Sequence, residues 1–436
     1  MKVSTLCRTD PHASDSIVRQ STRPSPTRLM IPAVLFMVLF PCLATAAGSV
    51  PKQYADIAFA LSKRPFIRPR AARLSTFDLP QEPGENTIGL DFNEADVITS
   101  MPANALDNGV WWIKLRPRAG VERFPLEVYI SRPDEIPPQY QKWGYANFKF
   151  DYSSSLIKPE LPKTIPVAAR YLAALDVGHR ENAASWPQWL HLGSNGYYRL
   201  APDGMVFGSS LRIGVIDVGE RREQFPVIRR VYVRPLNDRN FELDLIVDST
   251  AFTAAIHVNL RPGKVLTAQV DSIYFVRGAF KPDAHGTFGP LGISSMHWKN
   301  HSDTPENSND AAHDSDRFLF CDKNSRVRSV ALVPPTAPGE SQVKRFGRAR
   351  CFTLKQTDRD PTHFSAYSSA EYADRPSIAI SNIKSSAPYE IRLLSAGTAY
   401  EGADNIAAFA TWTIVPKVPR SIEEGILFSY AIKASK

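Results

Sequence analysis

At 436 residues, 43% of them apolar, the chain is long enough for one large domain or two ordinary ones and can bury a proper core. Its formal net charge of +8 at pH 7 comes without a clustered basic stripe, which excludes a nucleic-acid role. The 35 prolines and the many short apolar runs bounded by Pro, Gly, Asn and Asp exclude a mainly helical body.

The N-terminal segment reads as an export signal. Lys2, Arg8, Arg19, Arg23 and Arg28 precede the apolar run LMIPAVLFMVLFPCL, and the small residues ATAAGS follow it, with an Ala-x-Ala cleavage site at Ala44 to Ala46. Pro32 and Pro41 interrupt the run, which is short for a membrane span of about 20 apolar residues. The expectation is a signal peptide over residues 1–47, no stable membrane span after its removal, and a mildly basic mature domain over residues 48–436. Next, QYADIAFALSKR (53–64) has the apolar spacing of a short amphipathic helix. The basic stretch KRPFIRPRAARL (63–74) reads as a solvated face.

Strand candidates follow in order: GVWWIKLRP, FPLEVYISRP, YANFKFDYS, SLRIGVIDVG, VIRRVYVRP, FELDLIVDS, TAAIHVNLRPG, VLTAQVDSIYFVRG, PSIAISNI, YEIRLLSAG and GILFSYAIK. Most alternate polar with apolar residues, as half-buried antiparallel strands do, and no α-crossover separates them. This predicts an all-β fold, a large antiparallel β-sandwich with a few short helices. Two irregular regions interrupt it. Residues 158–180 are expected to hold a helical turn around VAARYLAALD, and residues 300–316 form a polar loop rich in Asp, Asn and His. No linker divides 48–436, so a single domain is expected.

Cys7 and Cys42 leave with the signal, while Cys321 and Cys351 stay, in the runs RFLFC and ARCFTL. The residues leave open a disulfide between neighbouring strands or two separate buried thiols.

Chemistry-bearing patterns are few. His301, Asp303, His313 and Asp314 match no compact metal-ligand spacing, GSNGYYRL lacks the Lys-Ser/Thr of a phosphate loop, and GSSLRIG lacks the spacing of a nucleophile elbow. No cofactor and no metal are expected. Trp186, Trp189, Tyr197, Tyr198, Tyr274 and Trp298, the last beside His297, offer faces suited to sugar rings, with core packing the commoner use of any one of them. Asp314 and Asp404 each sit where a loop meets a strand. Glycoside hydrolysis needs two carboxylates, one protonated and one ionised, although Asp at such positions is also a turn former.

The stretch GPLGISSMHWKNHSDTPENSNDAAHDSDRF resembles the periplasmic glucan biosynthesis proteins of Gram-negative bacteria, the OpgG and OpgD (MdoG and MdoD) family, in its polar loop and HDS motif. GYYRLAPDGMVFGSSLRIGVIDVGERREQFPVIRRVYVRP, CFTLKQTDRDPTHFSAYSSAEYADRPSIAI and ADNIAAFATW resemble further family segments in the same order. The resemblance implies the family's galactose-mutarotase-like β-sandwich, a periplasmic location and a β-1,2-linked glucan as ligand. In members that hydrolyse this glucan, the Asp of DNI is the general acid and the Asp of HDS the general base, which carries over to Asp404 and Asp314. Tyr197, Tyr198, Arg199, Tyr274, His297, Trp298, His313, Trp186 and Trp189 become substrate-binding candidates, with Asp217 and Glu223 minor ones by the same analogy.

Two departures stand out. Arg317 and Phe318 replace the family's Gly-Leu, and SRVRSVALVPP (325–335) replaces an aromatic, arginine-bearing segment. The family's smaller C-terminal immunoglobulin-like domain is expected to be absent. The leading expectation is a periplasmic β-glucan-binding protein of glucan biosynthesis. The alternatives are an inverting β-1,2-glucan hydrolase and a non-catalytic docking module for a membrane glucan synthase.

Overall fold

Burying one face of a pleated strand leaves the other to polar side chains, and this alternation is what the backbone follows over most of the chain. In the computed structural model the described residues are 50–67, 100–102, 111–117, 124–132, 135–143, 148–150, 172–179, 188–216, 224–237, 239–278, 288–300, 312–322, 324, 326–332, 341–360, 372–399, 405–416 and 425–436. The structural findings below concern these residues, and the leader expected over 1–47 lies outside them.

Two large sheets account for most of them. An 11-stranded sheet runs, edge to edge, through Val327–Ala331, Arg317–Cys321, Phe352–Lys355, Ser377–Ser385, Ile426–Ser435, Leu266–Val276, Phe252–Arg261, Asn240–Asp248, Val227–Asn237, Glu127–Ile130 and Gln141–Trp143. A 10-stranded sheet runs through Trp111–Pro117, Leu172–His179, Gln188–Gly193, Tyr197–Leu200, Ser210–Arg212, Gly292–Asn300, Asn405–Pro416, Tyr389–Ala399 and Ser341–Arg345, with Ala312–His313 added beside Gly292–Asn300. Among these pairings only Val227–Asn237 with Glu127–Ile130 is parallel. The fold is all-β and predominantly antiparallel, as the alternation predicts.

The inner faces of the two sheets form one core. Phe241 of the first sheet lies edge-on to Trp111 of the second, centroids 5.4 Å apart, and 6.0 Å from Trp189. Aromatic pairs of this geometry join the layers and bury large area. One gap in this interior is apolar, lined by Leu190, Tyr198, Ile213, Leu245, Ile256 and Tyr430 among others, and holds about 30 Å³. That is room for a few waters at most and no place for a sugar ring.

One helix, Lys52–Ser62, lies on the outer face of the 11-stranded sheet, matching the expected amphipathic segment. Tyr54, Ala58 and Ser62, one turn apart, are its buried stripe. Tyr54 and Ala58 pack with Ile246, Ala255 and Phe275. The carbonyls at and just beyond its end are not left to water. Arg277 donates to Ser62 O and Arg64 O, and its other terminal nitrogen reaches Asp248 Oδ1 at 2.5 Å. No helix among the described residues is long and apolar enough to cross a membrane.

Two expectations are corrected. The stretch read as a helical turn, VAARYLAALD, is strand from Leu172 onward, because LAALDVGH alternates when paired: Leu175 and Val177 face the core while Asp176 faces away. The stretch SLRIGVIDVG is not one strand. Ser210–Arg212 joins the 10-stranded sheet and Val215–Ile216 pairs separately with Phe288–Gly289. The break falls at Gly214, where an added Cβ would lie 2.3 Å from Phe252 Cζ, so only glycine lets the backbone pass.

Candidate functional site

Strand alternation puts a charged row on the face of the 10-stranded sheet that points away from the core. Lys114, Asp176, His191 and Arg199 stand in register across four adjacent strands. Asp176 is fully buried, and its carboxylate takes Arg116 Nε at 2.5 Å, His191 Nδ1 at 2.6 Å and Gln188 Nε2 at 3.2 Å. Burial alone would raise the pKa of Asp176, but the His191 imidazole and the Arg116 guanidinium outweigh it and hold it at about 2. One strand further on, the Arg212 guanidinium lies 4.9 Å above the Tyr197 ring, whose other neighbour is Phe225 at 5.3 Å.

The HDSD segment meets this sheet beside Gly292–Asn300. His313 pairs with His297, and Ala312 with Trp298. Ser315 is then tied down: its N–H donates to Ser295 Oγ at 3.0 Å, and its hydroxyl lies 3.0 Å from Ser209 Oγ. Asp314, with 1% of its surface exposed, forms an ion pair with Arg375 of the RPS motif. Arg375 is held close on its other side by the chain at Gly208, where an added Cβ would sit 3.0 Å from Arg375 Cβ. The HDSD segment, the chain at 208–210 and the RPS segment therefore meet beside Asp314.

The candidates read from the sequence separate into five groups. Asp314 sits at this junction. Tyr197 and Arg199 are half-buried on the polar sheet face, Arg199 opposite His191. His297, Trp298 and His313 are placed by register on adjoining strands, with His297 also opposite Ala408 and Trp298 opposite Ala407. Asp404, Trp186, Asp217 and Glu223 lie outside the described residues. The residue after Asp404, Asn405, opens the strand Asn405–Pro416 and pairs with Asn300.

Three aromatic candidates are corrected by their burial. Tyr274 has no exposed surface, and its hydroxyl lies 2.7 Å from the carbonyls of Ile213 and Pro290. Tyr198 packs between the sheets and hydrogen-bonds Tyr430. Trp189 is turned inward by a bulge, since Gln188 pairs with Gly178 and Leu190 with Val177, leaving Trp189 unmatched to pack on Phe241. Its indole N–H donates to Asp203 at 2.8 Å. Rings enclosed in this way have no face to offer a sugar.

Asp176, Arg116, His191 and Arg375 were not singled out by sequence reasoning. The available signal for Asp176 was a lone Asp inside an apolar alternation, and for Arg375 its place in the RPS motif. Cys321 and Cys351 are joined by a disulfide, Cα atoms 5.2 Å apart, at the end of the strand Arg317–Cys321. No group of three His, Cys, Asp or Glu among the described residues is arranged to hold a metal ion.

These features define a two-sheet β-sandwich protein with a charged outer sheet face and a clamped carboxylate beside it. The model of the family described as periplasmic glucan biosynthesis protein, MdoG, matches residues 67–436, and the chain belongs to that family. It is similar to the glucans biosynthesis protein G of Vibrio cholerae serotype O1, 27% identical over 240 residues that span 54% of this chain and 42% of the relative. It is also similar to the protein of that name from Serratia proteamaculans, 24% identical over 429 residues, 95% of this chain and 76% of the relative. The match thus spans less than half of the Vibrio relative. Among solved structures, a galactose mutarotase related enzyme from Lactobacillus acidophilus is similar at TM-score 0.25 and 8% identity, covering 61% of this chain and 95% of its own.

Proposed function

We propose that this periplasmic glucan biosynthesis protein binds β-glucan along the polar face of the 10-stranded sheet and acts on a β-1,2-linked backbone of osmoregulated periplasmic glucans. The observation that carries this reading is Asp314, a buried carboxylate fixed by Arg375 where the HDSD, GSS and RPS segments meet. Such a group is held in direction by its surroundings and is reached by the ligand through ordered water, without touching the sugar. In the hydrolytic form of the reading, Asp404 gives its proton to the leaving glycosidic oxygen, water attacks the anomeric carbon from the opposite face, and Asp314 receives the water's proton. The product is a hydroxyl of inverted configuration and a new chain end.

Calorimetric titration of the mature protein with β-1,2-glucan, alongside product analysis, tests both levels. Binding heat is expected. If cleavage occurs, Asp404→Asn and Asp314→Asn should each lower it at least about 100-fold while glucan still binds. Heat without cleavage leaves a binding protein. Absence of heat removes the sugar reading and leaves the docking module for a membrane glucan synthase.

A further inference from the structure

The two aspartates of the HDSD segment belong to one closed polar circuit. Asp314 pairs with Arg375, and the turn that carries Arg375, Tyr372–Asp374 and the two residues after it, is pinned by Arg359. Arg359 Nη1 donates to Ala373 O at 2.7 Å and to Arg375 O at 2.5 Å. Its other terminal nitrogen, Nη2, is buried without a hydrogen-bond partner among the described residues, so those two carbonyls are what this guanidinium holds. The Asp374 and Asp316 carboxylates act on it only at a distance. Arg359 is in turn placed by its own neighbour: Thr357, two residues before it, gives both its N–H, at 2.8 Å, and its hydroxyl to the Asp316 carboxylate. Asp316 is itself seated by backbone bonds, from its N–H to Lys355 O at 3.1 Å and from Leu332 N–H to its carbonyl at 3.0 Å.

We propose that Asp316 and Arg359 are positioning residues for Asp314: Asp316 anchors the 357–359 segment, Arg359 fixes the turn at 373–375, and the turn presents Arg375 to the Asp314 carboxylate. The circuit explains why HDSD carries two aspartates. The first is aimed at the site, and the second sets the frame that aims it. A long arginine side chain samples many rotamers unless its backbone is fixed, so a shift of the turn would release the ion pair. The consequence for cleavage rests on the hydrolytic form of the glucan reading above; the structural coupling does not.

Chemical denaturation separates the two. Arg375→Met should shift the unfolding midpoint of the wild-type protein, and the shift should shrink to half or less in the Asp316→Asn and Arg359→Met backgrounds, because the ion pair is already loosened there. An unchanged shift in both backgrounds overturns the proposal. Should Arg359→Met fail to fold, Asp316→Asn carries the same comparison. At a temperature where the variants are folded, the rate of glucan cleavage is expected to fall about tenfold in each single variant and no further in the double one while glucan still binds, with Arg359→Lys recovering most of the loss through its ammonium donors. A merely structural role would lower the midpoint and leave the rate unmoved, and a double variant about 100-fold slower would show independent actions. If the wild type does not cleave glucan, the hydrolytic reading falls while the midpoints still judge the circuit.

Discussion

Asp176 shows how much of this protein's charge is placed by strand pairing. A carboxylate with no exposed surface is tolerable because Arg116, His191 and Gln188 fill its acceptor positions. Asp176→Asn removes the negative charge of a buried ion pair, so it should destabilise the fold by about 3–5 kcal/mol in urea unfolding. Because the folded pKa is depressed to about 2 from 3.8, the stabilisation is full above the unfolded value and is lost as pH falls through the folded one. The wild type should therefore lose stability faster than the variant between about pH 4 and pH 2.

His257, on the outer face of the other sheet, titrates in the opposite sense. Burial alone would lower its pKa, but the 2.9 Å bond to Asp244 and the charges of Asp244, Glu242 and Asp271 outweigh it and raise it. A raised histidine stabilises fully below its unfolded value of 6.5 and stops doing so as pH rises through the folded pKa. Asp271, raised chiefly by burial, also loses stability as pH rises, but in a window that opens at its unfolded value of 3.8, below that of His257. Thermal melts between pH 6 and pH 9 should show a decline that is shallower, though not abolished, in His257→Gln. Equal slopes would assign the decline to other groups.

At the scale of elements, the disulfide ties together the two strands that bring HDSD and the TLKQTDRD segment side by side. Arg317–Cys321 and Phe352–Lys355 are neighbours, and Cys321 N–H also donates to Cys351 O at 2.9 Å. Closing a 30-residue loop restricts the unfolded chain by about 3–4 kcal/mol on the chain-entropy account. Reduction, or the Cys321→Ser/Cys351→Ser pair, should lower the unfolding free energy by about that much and leave the far-ultraviolet spectrum unchanged below the transition. A loss under about 1 kcal/mol would mean that the reduced ensemble already keeps these strands together. The helix Lys52–Ser62 and the strands Val227–Asn237, Asn240–Asp248, Phe252–Arg261 and Leu266–Val276 are readable because their apolar periods, 3.6 and 2, are local properties. The strand Leu172–His179 was misread because a short apolar run fits both periods, and only pairing with Trp111–Pro117 and Gln188–Gly193 selects one.

For the whole molecule, the class of fold and the family are legible in the sequence. Alternation, turn residues and motif order are written along the chain and need no partner to be seen. Tertiary structure decided which aromatic rings became core and which polar groups became neighbours. Trp189, Tyr198 and Tyr274 carry the same side chains as surface sugar platforms would, and a bulge and two sheet faces send them inside. Arg375, Arg359 and Asp316 sit far from Asp314 or merely beside it in the chain, and only the meeting of three loops gives them a common task. The reason is physical: a residue's burial and its ion-pair partner depend on what the opposite strand or loop supplies, and that information is nonlocal in the sequence.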